Sequence, residues 1–133
     1  MILFIDDEKR YVDNICEELR FRGKEVSFSD GVDDALKQLD DLKGLEVIVC
    51  DVMMPHGRSF SAADTDDNRR TGLRFLRQIR DRGITAPVVL LTNDDRQHVK
   101  DEASEFPPCL VIEKKLYPSF EIAEQIVGSL NNG

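Results

Sequence analysis

Four short apolar runs in this chain each end on residues that can handle a divalent cation or a phosphate. Ile2-Leu3-Phe4-Ile5 runs into Asp6-Asp7-Glu8, and Val47-Ile48-Val49-Cys50 into Asp51. Leu90-Leu91 runs into Thr92, and Leu110-Val111-Ile112 into Glu113-Lys114-Lys115. Brought together, these ends would set carboxylates beside a hydroxyl and a lysine. Carboxylates within a few Å of one another repel, and one keeps its proton unless a cation intervenes. Mg²⁺ resolves the repulsion, because this hard ion takes one or two carboxylates along with waters and phosphate oxygens. A phosphoryl group can then approach Asp51, whose carboxylate is able to act as nucleophile and form an aspartyl phosphate. Thr92 would donate a hydrogen bond to one phosphoryl oxygen and the lysine would pair with another. Phosphoryl transfer draws most of its catalysis from positioning and charge stabilisation, so a sparse set is sufficient.

The elements between these ends decide whether they meet. A further run, Glu25-Val26-Ser27-Phe28, makes five candidate strands, and most are apolar at successive positions, as strands covered on both faces are. Amphipathic stretches alternate with them. Val12, Ile15, Cys16 and Leu19 predict a helix over roughly residues 8–22. A second helix, capped by Ser29 or Asp30, carries Val32, Ala35, Leu36 and Leu39. A third near 70–82 buries Leu73, Phe75, Leu76 and Ile79, and a short polar fourth covers about 95–105. A fifth, about 119–130, presents Phe120, Ala123, Ile126, Val127 and Leu130. This alternation predicts a doubly wound, flavodoxin-like α/β fold with five parallel strands in the order 2-1-3-4-5 and helices on both faces. In that order, sites form beyond the carboxyl ends of strands one and three.

At 133 residues the chain reads as one domain, and its net charge of −8 argues against nucleic-acid or anionic membrane partners. No apolar run approaches the roughly 20 residues of a membrane span. MILFIDDEKR does not read as a signal peptide. The three cysteines match no zinc or redox spacing, and Cys16 and Cys50 read as small buried hydrophobes of a cytoplasmic protein.

These motifs resemble the receiver domain of response regulators in two-component signalling. Ile2 to Glu8 resembles the family's strand followed by an acidic pair, Asp51-Val52-Met53-Met54-Pro55 its D-x-x-M-P phosphorylation motif, Leu90-Leu91-Thr92 the hydroxyl-bearing end of strand four, and Ile112-Glu113-Lys114 the lysine ending strand five. The resemblance spans about residues 1–130. It implies that Asp51 accepts a phosphoryl group from a histidine kinase or a histidine phosphotransfer protein. It implies that Asp7 and Asp51 bind Mg²⁺ directly, that Asp6 does so through water, and that the Met53 carbonyl adds a ligand. Lys114 or Lys115 would hold the phosphoryl group, with Lys114 preferred because Lys115 then stands where the family usually has proline. The implied protein is a stand-alone phosphoacceptor that catalyses only its own phosphorylation and autodephosphorylation and signals through an output protein.

The chain departs from the family pattern at four places. The stretch from Pro55 to Gly72 is about thirteen residues longer than the common spacing, which predicts an extended loop over about 56–71. Its two readings are a lid or docking element carrying Phe60, Asp64, Asp66 and Asp67, and a solvated excursion. Asn93 follows Thr92 where the family has a small residue, so Asn93 is expected to slow phosphoryl entry or hydrolysis. Val111, or Ile112 in the other register, replaces the family's switch aromatic. Strand five is expected to continue into Lys115. His56 reads as a loop residue rather than a relay, and His98 as part of a solvated helix face. Arg70, Arg74, Arg77 and Arg80 read as the solvated face of the third helix. Two alternatives stand beside the main reading: a receiver-like interaction module that is never phosphorylated, and a haloacid-dehalogenase-type phosphatase. The phosphatase reading lacks its D-x-D motif here.

Overall fold

A computed structural model describes residues 1–93 and 96–131. The elements alternate as β1 (Ile2–Ile5), α1 (Lys9–Phe21), β2 (Val26–Ser29), α2 (Val32–Asp41), β3 (Val47–Asp51), α3 (Thr71–Asp81), β4 (Val88–Thr92), α4 (Arg96–Ala103), β5 (Cys109–Glu113) and α5 (Ser119–Asn131). All strand pairs are parallel, in the order β2-β1-β3-β4-β5. The fold is the doubly wound one that the alternation predicts.

Every residue of β1, β3 and β4 is buried, which is why these runs show no polar alternation. Their side chains divide by parity. Leu3, Ile5, Ile48, Cys50, Val88 and Leu90 pack under α2, α3 and α4. Ile2, Phe4, Val47, Val49, Val89 and Leu91 pack against α1 and α5. The two cores hold the strand ends level: Ile5 pairs with Cys50, Asp51 with Leu91, and Thr92 with Glu113. One step beyond these pairs, Asp6 and Lys114 flank Asp51 from either side.

Several local expectations are corrected. The residue preceding α2 is Gly31, in extended backbone, and neither Ser29 nor Asp30 caps the helix; the Ser29 hydroxyl donates to the Gly31 carbonyl instead. Phe120 is 51% exposed, because α5 turns Ile122, Ala123 and Ile126 to the core. Phe120, two residues before Ile122, lies roughly 200° round the helix from it. β5 ends at Glu113 rather than running on to Lys115, and the chain enters a single 3-10 turn, Lys114–Leu116. Asp95, the expected start of the fourth helix, lies outside the described residues.

The tightest packing lies where α3 meets β3. The Gly72 amide donates to the Val52 carbonyl at 2.9 Å. A Cβ on Gly72 would lie 2.4 Å from the Asp51 carbonyl oxygen and 2.8 Å from the Val52 Cα. Gly72→Ala is therefore expected to destabilise the domain by about 3 kcal/mol, the upper end of ordinary overpacking costs. Gly128→Ala, in open space on α5, is expected to stabilise it by about 0.5–1 kcal/mol. Urea unfolding of both variants checks the pair; equal effects would contradict this account of Gly72.

Candidate functional site

Asp6, Asp7 and Asp51 each offer one carboxylate oxygen, and the three oxygens lie within 4.8 Å of one another. Asp6 and Asp51 are buried and Asp7 is exposed. The Glu8 amide donates to Oδ1 of Asp6 at 2.8 Å, which orients that carboxylate as the chain turns into α1. Its Oδ2 is buried and has no hydrogen-bond partner among the described residues. Burial first, and then the Asp51 charge, hold the Asp6 carboxyl well above the usual carboxylate range. Burial also raises Asp51, against the opposing pull of the Lys114 ammonium and the Met53 amide.

Lys114 Nζ lies 3.4 Å from Oδ2 of Asp51, with both side chains 9% exposed. Lys115 is exposed. The 3-10 turn separates the tandem lysines, sending one into the site and the other to solvent. Thr92 is buried at the end of β4, and Met53 offers its amide to Asp51 while its side chain is 46% exposed. Each residue expected at the site is found at the same end of the sheet. A buried carboxylate oxygen without a donor, beside two further carboxylates, fits a hard divalent cation. Asp6, Asp7 and Asp51 would hold it.

The loop after Asp51 is held in place at its base and by two buried side chains, while most of its residues are exposed. Its base is stapled by the Thr71 hydroxyl donating to the Met54 carbonyl and by the His56 amide donating to Asn68 Oδ1 at 2.9 Å. Phe60 is only 7% exposed and joins the core between α2 and α3, with the Arg74 guanidinium 4.8 Å over its ring. Thr65 is fully buried, and its hydroxyl donates to the Ser61 carbonyl. The chain reverses through three left-handed residues, Asp66, Asp67 and Asn68, of the types that tolerate this conformation best. Asp67 and Asn68 thereby share a shallow groove with Asp7, Met53 and Pro55.

Asp33 of α2 was not among the expected loop contacts, yet it anchors the outer half. Its carboxylate accepts from the Arg58 and Ser59 amides at 2.9 Å and from the Ser59 hydroxyl at 2.5 Å. No sequence pattern links two residues 25 positions apart. Of the arginines expected on the solvated face of the third helix, Arg77 is exposed, whereas Arg70, Arg74 and Arg80 are partly buried. Arg80 donates to the carbonyls of Ile84, Ala86, Phe106 and Pro108. Arg70 pairs with Glu102 of α4. His56 contacts the carbonyl of its neighbour Gly57, and His98 is exposed as expected.

With the fold and site described, the likeness to known proteins is specific. The response regulator receiver domain family matches residues 2–119, and this chain belongs to it. Receiver domains of this kind are signalling modules of two-component systems that bind Mg²⁺ at an acidic pocket, and the acidic cluster here is Asp6, Asp7 and Asp51. Over 100 residues the chain is 27% identical to the transcriptional regulatory protein DltR of Streptococcus agalactiae serotype III, covering 74% of this chain and 38% of that regulator. The chain thus spans well under half the length of the relatives it matches in sequence. In structure it resembles the chemotaxis protein CheY4 of Vibrio cholerae, at TM-score 0.76 and 19% identity over 96% of this chain and 95% of that one. It also resembles a receiver domain from Clostridium thermocellum, at TM-score 0.74 and 22% identity over 98% and 94%. At these identities the structural likeness speaks for the fold.

The Asp33 clamp is titratable. Hydrogen bonds from Ser59 and Arg58 lower its carboxyl below the ordinary 3.8. Its contribution to loop order is therefore complete above pH 3.8 and is lost as the pH falls through the depressed folded value. The Arg58 and Ser59 amide resonances are expected to shift only below that pH. In Asp33→Asn they are expected to lose the titration, and tryptic cleavage after Arg58 to accelerate at neutral pH. Unchanged cleavage would remove the clamp.

Proposed function

We propose that this domain accepts a phosphoryl group on Asp51 from a phosphohistidine donor, a histidine kinase or histidine phosphotransfer protein, in a Mg²⁺-dependent reaction. The observation that carries the reading is the Asp6–Asp7–Asp51 cluster with the Lys114 ammonium 3.4 Å from Asp51. The carboxylate attacks phosphorus, a P–O bond forms, and the P–N bond breaks with its electron pair passing to the donor imidazole. Lys114 binds one phosphoryl oxygen and Thr92 donates to another. The Met53 amide holds the Asp51 carboxylate in place. Asp7 and Asp51 would hold Mg²⁺ directly, Asp6 would act through water, and the Met53 carbonyl would add a ligand. When bound, the ion supplies charge neutralisation among the carboxylates and polarises the phosphoryl oxygens.

Autodephosphorylation follows by attack of water on the same phosphorus, which breaks the P–O bond to Asp51, restores its carboxylate and releases inorganic phosphate, with Asn93, half-buried after β4, narrowing the approach. The phosphoryl group adds charge and acceptor oxygens that a partner reads through protein contacts. We place the domain in the cytoplasm, where Cys16 and Cys50, buried and unpaired, would stay reduced. Among the described residues, no helix is long and apolar enough to cross a membrane. Family membership removes the phosphatase reading. The unphosphorylated-module reading becomes an outcome of the test.

Incubation with acetyl phosphate and Mg²⁺, followed by intact mass, is expected to show one added phosphoryl group, absent without Mg²⁺ and absent in Asp51→Asn. Lys114→Ala is expected to slow labelling about 100-fold or more, the cost of losing one preorganised charge partner. Lys115→Ala should label at the wild-type rate. No added mass on folded wild type would favour the unphosphorylated module. Asn93→Ala is expected to shorten the aspartyl-phosphate lifetime, and an equal lifetime would remove its proposed role.

A further inference from the structure

Receiver domains must pass the state of the acceptor to a distant surface, and this chain carries Val111 where the family pattern has an aromatic. The structure contains a different physical link. Arg70, the residue preceding α3, reaches across to Glu102 on α4 and pairs with it, both side chains about a third exposed. The Arg70 amide is held by the Thr65 carbonyl at 2.8 Å and its carbonyl receives the Arg74 amide at 3.0 Å, so its backbone is anchored to the loop and to α3. Its side chain stands between two grooves. One, of about 120 Å³, lies between α3 and α4 and contains Glu102 and Glu105. The other, of about 380 Å³, is shared with Val52, Met53, Thr92 and His98, the first two of which directly follow Asp51. Arg70 lines both grooves.

We propose that Arg70 is a phosphoryl-responsive latch, which holds Glu102 of α4 in the resting domain and is drawn toward the phosphoryl group once Asp51 carries it. The inference rests on Asp51 being the acceptor. Glu102 offers one negative charge, whereas a phosphoryl group offers close to two and three acceptor oxygens. The planar fork of the guanidinium suits those oxygens better than a second lysine would. α4 is poised to respond, because Val99 and Ala103 are its buried apolar residues and its remaining described positions are polar. The extended loop enters the mechanism by carrying Arg70 back to the site next to Gly72.

Hydrogen exchange of α4, with and without acetyl phosphate and Mg²⁺, tests the latch, with phosphoryl occupancy read by intact mass on the same samples. Phosphorylation of the wild type is expected to speed α4 exchange about two- to fivefold, the range that partly exposed ion pairs contribute. Glu102→Gln should already exchange at the faster rate before phosphorylation. Arg70→Gln should be fast in both states, with no phosphorylation-dependent change, while still labelling on Asp51. Full occupancy with unaltered α4 exchange would overturn the latch alone, as would Arg70→Gln retaining the wild-type response. Failure of folded wild type to label would overturn the acceptor reading and the latch with it.

Discussion

Burying two carboxylates side by side is the constraint around which the rest of this domain is arranged. Asp6 and Asp51 sit at the ends of adjacent parallel strands, 1% and 6% exposed, where desolvation and mutual repulsion both oppose ionisation. A domain that needed only stability would place apolar side chains there. Here the Lys114 ammonium approaches from the end of β5, and among the described residues one oxygen of Asp6 has no donor. Buried carboxylates set this close favour added positive charge, which the proposed divalent cation would supply. The sheet order serves this requirement, since only the neighbours β1 and β3 bring the acids together and only the far edge brings the lysine.

The insertion after Pro55 shows how a site tolerates added chain. The chain leaves the frame after Met54 and returns at Thr71, where a hydroxyl bonds the Met54 carbonyl and Gly72 presses against the Asp51 backbone. Loop length costs little entropy once the ends are fixed. The excursion then builds a small core of its own: Phe60 between α2 and α3, Thr65 beneath its turn, and Asp33 holding its outer edge. The loop's last residues, Arg69 and Arg70, line the groove shared with Met53 and Thr92 as the chain returns.

The sheet order and the strand ends were legible in the sequence, because they depend on the alternation of buried apolar runs with amphipathic stretches. Uninterrupted apolar runs mark buried strands, and their last residues fall on one rim whatever the helices do. What escaped depends on contacts between distant residues. Asp33 looks like an ordinary first-turn acid until Arg58 and Ser59 arrive beneath it. Phe60 looks like an exposed loop aromatic until α2 and α3 close on it. Arg80 shares the spacing of a solvated helix face yet binds four backbone carbonyls, and Phe120 fits an apolar stripe whose true centre is Ile122. The helix caps failed for a related reason: Gly31 adopts extended backbone that no side-chain rule anticipates.

The central claim is that the acceptor is the carboxylate at the end of β3 and no other acid of the cluster. Borohydride reduction of the acetyl-phosphate-treated protein converts an acyl phosphate into a primary alcohol, so the modified aspartate becomes homoserine and can be located by peptide mass spectrometry. Homoserine at position 51, formed only when Mg²⁺ was present during labelling, is the predicted result. Homoserine at Asp6 or Asp7, or none in protein that has gained phosphoryl mass, would contradict it.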